Sequence, residues 1–219
     1  MKNRLVAPGV AAWLLAACAS APPPPDWQLN AHGALQRAVQ AHLQGNDRVA
    51  TLEYDRARSE IAATGRPELM ARAELLRCAA QAAALQFEPC PGFERLRADA
   101  APAERAYADH LLGRLDAARV PLLPPAQQRL TQGDAAARLA ALQATVDPLS
   151  RLLGAAVALR DGQASPAVLE LAVDTASAQG WRRPLLAWLR LSQRTAESAG
   201  LADEAARLGR RIDLVMQGR

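Results

Sequence analysis

Leu201-Ala202-Asp203-Glu204-Ala205-Ala206-Arg207-Leu208-Gly209-Arg210-Arg211-Ile212-Asp213-Leu214-Val215-Met216 decides the fold class. Leu201, Ala205, Leu208, Ile212 and Val215 recur at i, i+4, i+7, i+11 and i+14, one face of an α-helix. Asp203, Glu204, Arg207, Arg210 and Arg211 fall mostly on the other face. Gly200, just before this run, suits the residue after a preceding helix, where a left-handed backbone is needed. The segment therefore reads as the second arm of a helical hairpin.

The same pattern extends back through the chain. Asp147-Pro148 reads as an N-cap followed by proline in the first turn, ahead of Leu149, Leu152, Leu153, Ala156 and Val157. Ser165-Pro166 repeats the device before Val168, Leu169, Ala172 and Ala176, and Thr64-Gly65-Arg66-Pro67 ends one helix and starts another. The periodicity predicts helices near 28–44, 47–63, 67–86, 102–118, 134–145, 147–160, 166–179, 183–198 and 201–216. A short helical turn fits 91–99, and Pro121, Pro124 and Pro125 interrupt the middle. Connections of two to six residues imply antiparallel neighbours.

Composition agrees. Alanine, the best helix former, accounts for 51 of the 219 residues, and aromatic residues number eight. No stretch supplies the alternating β-branched and aromatic residues of a sandwich or barrel. The expectation is an all-α protein: antiparallel hairpins stacked as a repeat solenoid or as an irregular bundle.

The N-terminus has a different character. Lys2 and Arg4 precede an apolar run from Leu5 to Ala17, ending at Cys18. The run is shorter than the ~20 residues a spanning helix needs, and Pro8-Gly9 breaks it; it reads as an export signal. Leu15-Ala16-Ala17-Cys18 resembles the lipobox of bacterial lipoproteins. The resemblance implies removal of residues 1–17, attachment of diacylglycerol to the Cys18 thiol and acylation of the new amine. An ordinary signal cut after an Ala-x-Ala site, or a buried apolar helix, is the alternative. Ala19-Ser20-Ala21-Pro22-Pro23-Pro24-Pro25 favours an extended polyproline II spacer, so residues 18–26 form a lipidated tether and 27–219 one helical domain. Ala19 after the cysteine implies, again by resemblance, outer-membrane sorting, with the body facing the periplasm.

A net charge of +4 could suggest nucleic acid. Removing Lys2 and Arg4 from the 26 basic residues leaves 24 against 22 acidic ones, with no basic run. Nucleic acid is excluded as the expected partner.

Residues 34–57 are similar to a tetratricopeptide repeat (TPR) unit: Ala38 in the first helix, Gly45 at the turn, then Ala50, Tyr54 and Ala57 as small, large, small. A weaker match runs through Trp188, Leu191, Ser192 and Thr195 to a turn at Gly200. The resemblance implies a helical groove for a protein or peptide partner. As a whole the chain looks like β-proteobacterial lipoproteins that pair a lipobox with an Ala/Arg-rich helical body, a likeness that implies no activity.

Cys78 and Cys90 remain after processing, in a compartment that permits disulfides. A helix running to Gln86 rises about 12 Å beyond Cys78, and four extended residues can return about 13–14 Å. A bridge is expected if the chain doubles back at once with Phe87 against the helix. The alternatives are Cys78 as a small buried residue and Cys90 as a free thiol.

Chemistry-bearing patterns are sparse. His32, His42 and His110 stand in no metal-ligand spacing, and two thiols without a nearby histidine fall short of a zinc site. No phosphate loop or nucleophile elbow occurs. Glu197-Ser198-Ala199 resembles the opening of lytic transglycosylase motifs, but too few residues follow for that domain. Glu197, Glu104, Asp109 and Asp116 read as solvated charges. No catalytic residue, metal or cofactor is expected. The expected function is a membrane-anchored, protein-binding scaffold of the cell envelope; the alternatives are a factor acting on peptidoglycan and a carrier of small apolar ligands.

Overall fold

A computed structural model describes residues 23–218. Among these the architecture is all-α, with no strand: eleven α-helices and one 3-10 turn. The form is an irregular bundle of antiparallel hairpins, the second of the two arrangements expected. No helix among the described residues is long and apolar enough to cross a membrane.

The N-terminal hairpin shows how local chemistry sets the boundaries. Helix α1 (Asp26–Gln44) follows Pro25, which holds an extended backbone and cannot continue a helix backwards. It ends at Gly45, whose φ of 83° places it in the left-handed region. The Asn46 N–H then closes on the Ala41 carbonyl at 2.8 Å, satisfying an otherwise orphaned acceptor. The Asn46 side chain also accepts from the Val49 N–H at 3.2 Å and so starts α2 (Asp47–Ala62). Two residues therefore stop one helix and start the next. The buried stripe Ala31, Ala34, Ala38 and Ala41 lets α2 approach closely, and Tyr54, Ala57 and Ile61 fill the space between.

Helix α3 (Pro67–Ala83) is the hub. Ala71, Leu75, Cys78, Ala79 and Ala82 join one apolar cluster, Ala73 a second and Ala83 the third and largest. It packs against α1, α2, α5 (Pro102–Leu111) and α8 (Pro148–Arg160). A helix surrounded by neighbours cannot be amphipathic, and its alanines are what let several backbones reach it. It ends three residues short of the expected Gln86. Leu85 has φ 61°, a left-handed residue without glycine, and the Gln86 N–H bonds the Gln81 carbonyl at 3.0 Å.

The middle of the chain departs most from expectation. The helix expected over 102–118 stops at Leu111, and a 3-10 turn carrying Pro121 spans Ala117–Leu122. A short α4 (Pro91–Glu94) precedes it, and an unexpected α6 (Pro125–Leu130) leads to α7 (Ala135–Ala144). Helix α8 then runs through the core with Leu152 to Ala158 all buried. Leu130 and Leu142 press on Gly154, where a Cβ would lie 2.9 Å from Leu142 Cδ2 and closer still to Leu130 Cδ1.

Helices α9 (Pro166–Ala178), α10 (Arg182–Ser198) and α11 (Ala202–Gln217) continue as hairpins. Helix α10 also packs on α1, so the succession returns to its beginning. Two polar contacts make that seam and a third ties α10 to α3. Trp181 Nε1 donates to Gln40 Oε1 at 2.9 Å, Arg183 Nε to the His42 carbonyl at 2.7 Å, and Trp188 Nε1 to the Ala83 carbonyl at 3.1 Å. Trp188 is fully buried, so its N–H needs that acceptor.

Candidate functional site

Cys18 lies outside the described residues, as does the rest of the leader. Cys78 and Cys90 stand at disulfide distance, with Cα atoms 5.9 Å apart, inside the range a bridge requires. Both are buried beside Phe93 in the cluster that α3 shares with α4 and α5. Phe93, not Phe87, covers the pair; Phe87 is more than a third exposed. The early reversal at Leu85 is the physical reason, because it turns the chain back before Phe87 can reach the helix.

Two expected surface charges are also corrected. Asp109 is buried, between Arg97 at 3.0 Å and Arg119 at 2.8 Å. Glu104 is half-buried and meets Arg72 at 2.6 Å. Their partners come from other segments, which a helical wheel of α5 cannot show. Asp116 is exposed and caps the 3-10 turn through the Ala118 N–H at 3.0 Å; Glu197 is exposed on α10.

The histidines have separate fates. His32 is exposed. His110 is buried, its Nε2 3.2 Å from Gln127 Oε1, while Gln127 Nε2 donates to the Ser150 carbonyl at 3.2 Å. That chain ties α5 to α6 and α8. Burial keeps the His110 pKa below its ordinary value. His42 is different, because it faces a cleft.

The cleft, about 320 Å³, lies between α1, α2 and α3, with Arg183 at the start of α10. Leu35, Ala38, Val39, Leu76 and Ala80 give it an apolar floor; His42, Tyr54, Arg58 and Arg77 give it polar walls. Buried Glu74 organises the cationic side. Arg58 Nη1 donates to Glu74 Oε1 at 3.0 Å, and Arg77 Nε lies 3.7 Å from Oε2. The same guanidiniums stand 6.0 Å (Arg58) and 5.0 Å (Arg77) from the Tyr54 ring centroid, within cation–π range. Burial, then the nearby Glu74 carboxylate, pushes the Tyr54 phenol up. Arg183 bonds Asp47 and the His42 carbonyl, and the Asp47 carboxyl is held below its usual value.

His42 Nε2 is buried and has no hydrogen-bond partner among the described residues. Burial, then Arg183, lowers its pKa to about 4; Asp47 opposes and Arg77 adds to the depression. The ring is therefore neutral at pH 7 in a net positive potential. A second concavity of about 380 Å³ gathers Arg138 and Arg160. There Arg160 is already engaged by the carbonyls of His110 and Leu111 and by Asp161. In the α1–α3 cleft Arg77 has no acceptor within hydrogen-bonding distance among the described residues.

Sequence reading singled out Tyr54, Ala38 and Ala50 through the repeat resemblance, and the structure brings all three to this cleft. It missed Arg58, Arg77, Glu74 and Arg183. Trp188 lies in the core, Leu191 and Ser192 are half-buried, and Thr195 is exposed. Among the described residues, no three His, Cys, Asp or Glu side chains are grouped to hold a metal ion. No known protein family matches the chain, and comparison with characterised proteins and with solved structures finds no match.

Proposed function

We propose that the protein is a lipid-anchored lipoprotein of the bacterial envelope whose helical body binds a protein or peptide partner. The observation that carries the binding half is the cleft: apolar floor, polar walls and an unpartnered buried donor or acceptor on one helical hairpin. The lipobox-like Leu15–Cys18 and the four prolines after it support the anchoring half, with the body held off the periplasmic face of the outer membrane. The TPR-like pattern at residues 34–57 falls on the hairpin that forms the cleft, which supports a recognition role for it.

Each half has its own test. Mass spectrometry of the mature protein is expected to find a chain beginning at Cys18 and carrying two lipid modifications; an intact leader or an unmodified thiol overturns anchoring. For the groove, Ala50→Trp fills the cleft from α2. A stoichiometric partner recovered from envelope membranes by the native chain is expected to be lost with Ala50→Trp. Equal recovery by both rules out the cleft.

A further inference from the structure

We infer that the cleft binds an anionic group, a carboxylate or a phosphate, between the His42 ring and the Arg77 guanidinium, with the ligand's apolar part on Leu35, Val39 and Leu76. This rests on the reading of the cleft as a ligand groove and specifies its chemistry.

The argument starts from hydrogen-bond supply. A buried polar atom without a partner is uncommon and costs on the order of 1–3 kcal/mol. His42 Nε2 is such an atom, and the residue that carries it lines an open cleft. Arg77 is similarly underused. Among the described residues its one ion contact is Nε to Glu74 at 3.7 Å, beyond hydrogen-bonding distance. Arg58 is tied to Glu74 and Arg183 to Asp47 and the His42 carbonyl. Stacking on Tyr54 holds the Arg77 guanidinium in place without using its N–H groups, so the donor is positioned in advance.

The charges facing His42 come from three elements: Arg183 on α10, Arg77 on α3 and Asp47 on α2. Their combined potential at the ring disfavours a proton, and the same potential favours a negative charge. Asp47 and the exposed Asp55 of the lining, and the buried Glu74 carboxylate beside Arg77, are the opposing charges. A volume of about 320 Å³ is at the small end of ligand sites, enough for one charged group and an apolar side chain.

An anion beside His42 must raise its pKa, which gives a readout independent of affinity. The probes are N-acetyl-leucine, its uncharged analogue N-acetyl-leucinamide, and inorganic phosphate. The His42 ring signal, assigned by its absence in His42→Gln, is titrated by NMR with each. N-acetyl-leucine is expected to raise the His42 pKa by one unit or more, saturably, and the amide to leave it unchanged. Arg77→Gln is expected to weaken that response at least fivefold while the remaining spectrum stays native. A response to phosphate alone identifies a phosphate-bearing ligand, and one to N-acetyl-leucine alone a carboxylate; either supports the site. Equal binding of acid and amide, no shift with any probe, or an unaltered response in Arg77→Gln overturns it. If the probes fail while Ala50→Trp still abolishes partner capture, the anion site falls and the groove stands.

Discussion

Gly92 tests the packing that builds the cleft. A Cβ placed there would lie 2.7 Å from Glu74 Oε1 and closer to Cδ and Oε2, where ordinary contacts need about 3.5 Å or more. Gly92 is buried at the start of α4, and its φ is not positive, so Gly92→Ala introduces no backbone strain. Helix propensity alone would favour alanine by up to about 1 kcal/mol. Two stronger effects oppose it. Overpacking a close contact costs about 1–3 kcal/mol. Displacing Glu74 also weakens its hydrogen bond from Arg58, worth about 1.5 kcal/mol or more for a charged pair. Because Arg58 is 44% exposed, water compensates part of that loss. The net expectation is destabilisation by about 2 kcal/mol, a fall in Tm of about 4–8 °C for a chain of this size. Thermal unfolding by circular dichroism and a urea midpoint measure it. The double mutant isolates the cause: in a Glu74→Ala background the added methyl meets space, so the cost of Gly92→Ala is expected to vanish within about 0.5 kcal/mol. A Gly92→Ala protein as stable as the native chain, or an undiminished cost without Glu74, refutes the reasoning.

Three further outcomes follow from other parts of the molecule. Reducing Cys78–Cys90, which closes a loop with a sequence separation of 12, is expected to lower stability by about 3 kcal/mol; two titratable thiols in the non-reduced, denatured protein would show that no bridge had formed. Because native His42 titrates at about 4 and its unfolded counterpart near 6.5, the unfolded chain takes up the proton first as pH falls. The His42 contribution to stability is thus full above pH 6.5 and declines towards pH 4, and urea midpoints across that window are expected to slope less in His42→Gln, with residual slope from His110 and from carboxyls held low by arginine, such as Asp47 and Glu94; identical slopes would place His42 in water. Trp188→Phe removes the indole donor from the Ala83 carbonyl inside a fully buried contact and is expected to cost about 1–3 kcal/mol, read from the urea midpoint; a neutral effect would mean that α10 and α3 do not meet through that bond.

What the sequence reveals divides along the range of the interactions involved. Helix ends were legible because Gly45, Asp147-Pro148 and Pro166 act within a turn of where they stand, although the Ser165 side chain makes no capping bond. The reversal after α3 was not, since Leu85 takes a left-handed backbone that costs a non-glycine residue about 1–2 kcal/mol and no local residue type announces it. The Cys78–Cys90 approach was nevertheless anticipated: reach along the chain constrains such a pair wherever the helix ends. Alanine hides the rest. A stripe of Ala31, Ala34, Ala38 and Ala41 has little contrast with neighbouring positions, so a helix buried on several sides, such as α3, looks much like one buried on a single side. The cleft was legible only where one hairpin supplies it, at Ala38, Ala50 and Tyr54. Its charge pattern depends on Arg183 meeting Asp47 across 136 positions and on Glu74 gathering arginines from two helices. In an arginine-rich chain nearly every helix offers candidates for such pairs, and tertiary contact alone selects among them. The unpartnered His42 is thus a property of the assembled α1–α3 and α10 seam, and substitutions on α10 that displace Arg183 should alter its titration although they lie 141 residues away.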